Sequence, residues 1–212
     1  MKIIALIAAA VPLLAQAPKT PPVDLTGYWV SVVTEDWRYR MIAAPKGDVA
    51  SVPLNQAGKD AANAWDPNRK NCLVYGAPGL MRLPTRLHIT WADANTLKIE
   101  TDAGAQTRLL HFAPTTAGRA SAQGDSAARW DGSAVEAKTT NLLAGYLRRN
   151  GVPYSAKTEL TEYIDLVHEQ EADWLILKSI VHDPVYLTRD FVTSTHFRRE
   201  PDGAKWKPTP CQ

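Results

Sequence analysis

The chain has 212 residues, of which 45% are hydrophobic and 22% charged, and its formal net charge is +2. That length supports one domain with a sizeable core, and the composition is that of an ordinary globular protein. A charge so near zero, with basic residues scattered, supplies no field for a nucleic-acid partner and sets that class aside.

The first 17 positions read as an export signal. Lys2 gives a short positive start, Ile3 to Leu14 is an apolar run broken only by Pro12, and Ala15-Gln16-Ala17 is a small-x-small cleavage pattern. The cut falls after Ala17, or after Ala15 if Pro18 obstructs the peptidase. The run is too short for a spanning helix, so no stable membrane span is expected after cleavage. A periplasmic or secreted location follows, and an oxidising compartment permits a disulfide between Cys72 and Cys211. Closing so long a loop would stabilise the fold by about 4 kcal/mol if unstrained. Two free thiols are the alternative, since sequence fixes no distance between them.

Residues 18–23 form a proline-rich leader, and 24–212 form one domain. Its opening stretch, Asp24 to Met41, carries Gly27-Tyr28-Trp29 and then an alternating β-branched strand. Trp37, Arg38, Tyr39 and Arg40 follow, combining aromatic faces with guanidinium groups that could stack on a ligand or simply pack a rim. A short helix is expected from Asn55 to Trp65, with Asn55 as cap and Asp66-Pro67 as stop. Arg86 to Phe112 reads as a β-meander with turns at Asp93-Ala94-Asn95 and Asp102-Ala103-Gly104. In its last strand His111 shares a face with Thr107 and Leu109, while Arg108 shares one with Leu110 and Phe112. Periodicity leaves open which face is inward.

Asp131-Gly132 marks a further hairpin, leading into a strand from Ala134 to Thr140. Asn141 to Ser155 is a long connection with the character of a lid or an ordered loop. Three more strands follow, at Glu159–His168, Trp174–Val181 and Phe191–Arg199. Strands at this spacing with little helix between them predict an all-β fold, an antiparallel barrel of about eight to ten strands with one short helix and long loops.

No phosphate-cradling glycine loop, Cys-x-x-Cys pair, His-Glu-x-x-His helix or Gly-x-Ser-x-Gly elbow occurs, so no cofactor is expected. The five histidines are isolated in sequence, and no metal site is expected. Glu162 is the most informative single residue, because it shares a strand face with Leu160, Ile164 and Leu166. If that face is the core, the carboxylate must be paired or neutral, and either state suits a general acid/base or a ligand anchor. The arginines that could meet it are Arg82, Arg86, Arg108 and Arg129. The alternatives are a structural ion pair, or the opposite orientation with Tyr163 and Val167 inward. Arg129-Trp130 could set a cation beside an apolar wall, and His182-Asp183-Pro184 reads as a strand end and turn.

Taken in order, DLTGYW, the block from Asp66 to Arg82 ending in GAPGLMR, GDSAARWDG and HDPVYLTRDF resemble a largely uncharacterised group of secreted bacterial proteins. Their hallmark runs G-H/Y-S, then R-W-E-G-D-T-L, and the group is similar to lipocalin-like (calycin) barrels that open on Gly-x-Trp. The resemblance implies roles for Ser126, Arg129, Trp130, Glu162, Asp183 and Pro184. The sequence departs from the hallmark at Asp125, Asp131 and Ala134.

Three readings of function follow. The first is an exported lipocalin-like protein binding a small, partly apolar molecule, with Trp29, Trp37, Arg38, Arg86, Arg108, His111, Ser126, Trp130 and Glu162 as candidate lining. The second is an enzyme on the same barrel, an isomerase, lyase or hydrolase with Glu162 as general acid/base and Arg108 or Arg129 stabilising negative charge. The third is a structural envelope protein. Oligomeric state is not legible.

Overall fold

A computed structural model describes residues 20–68 and 75–210. The export signal, Cys72 and Cys211 lie outside the described residues. Nine strands form a closed barrel: β1 (Gly27–Val32), β2 (Arg86–Asp93), β3 (Thr96–Thr101), β4 (Thr107–His111), β5 (Asp125–Asp131), β6 (Ala134–Thr140), β7 (Glu159–Glu169), β8 (Ala172–His182) and β9 (Phe191–Glu200). Each strand pairs with its neighbours in sequence, and β9 closes the ring on β1.

Eight of the nine joins are antiparallel; β4 and β5 run parallel. The expectation of an antiparallel barrel is therefore largely met, with this exception. The reason is parity: a closed ring with an odd number of strands cannot alternate direction at every join. The odd join is also short, with only Leu110 opposite Ser126 and His111 opposite Ala127. The end of β4 meets the start of β5, so the connection between them need not return along the barrel.

The alternation read from the sequence sets the walls. Leu87 and Ile89 of β2, Leu97 and Ile99 of β3, Ile164 of β7, Leu175 and Leu177 of β8 and Phe197 of β9 form one buried cluster with Trp29. Inward apolar side chains on every second position bury their area against the opposite wall, at about 1.5–3 kcal/mol for each fully buried large side chain.

Both ends of the barrel are covered. At the end where the chain enters, Leu25 is buried and accepts a hydrogen bond from Trp29 Nε1 at 3.0 Å. The Arg199 guanidinium lies 4.2 Å over the Trp29 ring, donates from Nη1 to the Thr26 carbonyl, and donates from Nη2 to the Asp24 carbonyl at 2.9 Å. Gly27 has φ +111°, and a Cβ there would stand 3.0 Å from Arg199 Nη1. Gly27 thus opens β1 in a conformation that only glycine takes easily, and the arginine covers the Trp29 ring two positions on.

The other end is capped by a second cluster, in which Leu160, Val181 and Phe191 meet Leu54, Ala62, Leu147, Val152 and Tyr154. Helix α2 (Gln56–Ala64) belongs to this cap, with the Asn55 side chain accepting from the Gly58 N–H at 2.9 Å as its sequence predicts. Two single-turn helices, α1 (Trp37–Arg40) and α3 (Ala77–Leu80), add to the one expected. The 141–155 connection is an ordered loop, not a lid. Arg148 donates to the Ala50 carbonyl, Arg149 to the carbonyls of Arg40 and Met41, and Asn150 to those of Pro45 and Asp48. These bonds satisfy carbonyls of an irregular segment that has no ladder partners.

Candidate functional site

Arg108 and Glu162 both point into the barrel and meet in its middle. Arg108 Nη1 donates to Glu162 Oε1 at 3.1 Å and Nη2 to Oε2 at 2.6 Å, the two-pronged geometry that suits guanidinium and carboxylate. Thr139 Oγ1 lies 3.5 Å from the same Nη2 and bonds Ser126 Oγ at 2.7 Å. The pair is sealed, with Arg108 1% and Glu162 0% exposed. Arg108 Nε and Thr195 Oγ1 are buried without hydrogen-bond partners among the described residues. None of the cavities described is lined by Arg108 or Glu162.

The other residues singled out from sequence fall into separate places. Trp29 is buried under Arg199. Trp37 is 56% exposed on α1, and Arg38 beside it pairs with Asp48 at 2.9 Å. Arg86 pairs with Glu200 at 2.8 Å, and Arg129 pairs with Glu136. His111 lines a groove beside the parallel join; Ser126 borders the same groove, but its buried hydroxyl belongs to the Thr139 contact beside Arg108. Asp183 is buried and accepts from Ser155 N at 2.6 Å, Ser155 Oγ at 2.9 Å and Val185 N at 2.8 Å, which makes it a turn anchor.

Trp130 alone of the candidates lines a cup at the chain-entry end. The cup has a volume of about 580 Å³, and its wall is shared by the 20–26 segment and the ends of three barrel strands. Trp91, Phe112 and Trp130 form a continuous aromatic wall, with ring centroids 5.4 Å apart in each successive pair. Thr20, Pro21 and Val23 face them from the entering segment, and Asp24 and Asp93 complete the lining. A β-bulge between Trp91 and Asp93 bends the end of β2, and both residues line the cup.

Both carboxyls are held below the usual aspartate range. For Asp24 the principal cause is the Thr26 hydroxyl, which donates to Oδ1 at 2.6 Å, and the Thr26 N–H adds to it at 2.9 Å. For Asp93 it is the Asn95 N–H, which donates to Oδ1 at 2.8 Å. Each therefore carries its charge at neutral pH, and neither is in a salt bridge among the described residues.

Sequence reading reached Trp130 but not Trp91, Phe112, Asp24 or Asp93 as a site. Phe112 does share a face with Arg108 and Leu110 in the sequence pattern. The missing information was that the ends of β2, β4 and β5 converge.

Several histidines pair with carboxylates on the outer walls. One of these forms a line: Glu35 Oε2 to His196 Nδ1 at 2.7 Å, and His196 Nε2 to Ser194 Oγ at 3.2 Å. It sits on an open sheet wall and lines none of the described cavities. Among the described residues no group of three or more His, Cys, Asp or Glu is placed to hold a metal ion, and no helix is long and apolar enough to cross a membrane.

Comparison with protein-family models, with curated proteins and with solved structures finds no match to the chain.

Proposed function

We propose that this is an exported, lipocalin-like barrel protein that binds a small, partly apolar molecule. The site is the aromatic cup at the chain-entry end, not the middle of the barrel. The observation that carries the reading is the Trp91–Phe112–Trp130 wall around a cavity of about 580 Å³. That volume lies in the range of about 300–1,000 Å³ typical of small-molecule sites, and an apolar wall with a few polar groups is their usual chemistry. Export rests on Lys2, the apolar run to Leu14 and Ala15-Gln16-Ala17. Membership of the secreted group rests on the order of its short motifs.

The enzyme reading that used Glu162 gains no support from the geometry. A general acid/base must come within hydrogen-bond reach of its substrate, and Glu162 is enclosed with both oxygens on Arg108.

Native mass spectrometry of protein purified from an exporting host tests the proposal. The expected result is a retained small molecule that the Trp130→Ala variant, folded by circular dichroism, no longer carries. Empty wild-type protein in every preparation, or equal retention by the variant, would overturn it.

A further inference from the structure

We propose that the cup selects small organic cations, in which an ammonium or quaternary ammonium group is joined to an apolar or aromatic body. The inference rests on the cup being the binding site and names the class of molecule it takes.

Two features of the lining favour positive charge together. The first is the aromatic wall. Trp91 and Phe112 are tilted by 48° and Phe112 and Trp130 by 29°, and all three rings line the cup. Aromatic faces are the negative part of the ring quadrupole, and tryptophan is the strongest of the three ring types at attracting a cation. The second is the charge of the lining. Asp24 and Asp93 contribute carboxylates, and no Lys, Arg or His lines the cup among the described residues. The basic side chains nearest these carboxylates, Arg199 by Asp24 and His111 by Asp93, stand outside the lining and make other contacts. Arg199 is spent on Asp173, the Thr26 and Asp24 carbonyls and the Trp29 ring, and His111 faces Thr96 at 3.3 Å.

An anionic ligand would meet two like charges with no cationic side chain in the described lining to offset them. A neutral apolar ligand would gain only the wall. A cation gains the wall, the ring faces and the carboxylates. The cup is also partly open, so the polar head can keep part of its hydration while the apolar body is buried.

A matched series tests this: 3-phenylpropyltrimethylammonium, 3-phenylpropan-1-ol and 3-phenylpropionate, titrated against the full-length mature protein by tryptophan fluorescence and calorimetry. The cation should bind about tenfold more tightly than the alcohol, which is about 1.4 kcal/mol and within reach of ring faces plus a carboxylate. The propionate should bind most weakly. Asp93→Asn and Asp24→Asn should each narrow the gap between cation and alcohol. Equal binding of cation and alcohol, or a gap that both Asn variants retain, would overturn cation selection and leave the cup as a binding site. If none of the three binds, the cup is not the site, or the chain's own leader fills it, and both proposals fall together.

Discussion

At the residue scale the most telling side chain is Glu162. A carboxylate inside a barrel is tolerable only if its lost hydration is replaced, and Arg108 supplies both donors. The pair contributes little net stability, because desolvating two ions offsets most of their attraction, but breaking it leaves a buried charge alone. Glu162→Gln should therefore destabilise the protein by about 3–5 kcal/mol in chemical denaturation. Replacing both partners, Arg108→Met with Glu162→Leu, should restore most of that loss. Ligand retention in the double variant is expected to survive, since neither residue lines the cup; a folded double variant that binds nothing would show that the pair does more than hold the barrel. The sequence singled out Glu162 by its apolar company and named Arg108 among four candidate partners. It could not choose between them, because the distance from β4 to β7 depends on two intervening strands.

At the scale of elements, the parallel join of β4 and β5 is where the barrel is least secured. Its ladder is two residue pairs long, whereas β7 and β8 pair along their whole length from Glu159–His182 to Glu169–Ala172. Local opening is easiest where few backbone bonds and little packing hold a join. Amide hydrogen exchange of β4 and the start of β5 should therefore be faster than that of β7 and β8. Equal protection in all four strands would show that the groove beside the join is stiffer than its ladder implies. The alternation of β4 and the Asp131-Gly132 turn after β5 were legible in the sequence. The direction of the join was not, since it follows from the total strand number, a property of the closed ring.

At the scale of the whole molecule, both barrel ends are held by polar ties as well as apolar packing, and several of those ties are carboxylates. Asp24 and Asp93 are held below their ordinary range by hydrogen bonds from Thr26 and Asn95. Asp173 is also lowered: partial burial opposes this, but bonds from His168 and Arg199 prevail. A carboxyl whose value is depressed in the folded state adds stability that is fully present above its unfolded value, near pH 4, and is lost as the pH falls through the folded value. The melting temperature should thus be flat between about pH 5 and 7 and fall below about pH 4. Asp173→Asn should flatten part of that fall; an unchanged profile would remove the Arg199–Asp173 tie from the account of the chain-entry end.

The sequence by itself determined the class of fold, because alternation, turn residues and the Asn55 cap are local and need no partner to be read. It also singled out Gly27-Tyr28-Trp29 as the opening of the first strand and Glu162 as a carboxylate in apolar company, while leaving open which face of that strand is inward. Tertiary structure decided which arginine meets Glu162, why one strand join is parallel, and where a cavity remains. Trp91, Phe112 and Trp130 are 39 positions apart from first to last, and only closure of the ring brings them side by side. The opening Gly-Tyr-Trp stretch is packed at that end, with Trp29 under Arg199 and the aromatic cup beside it.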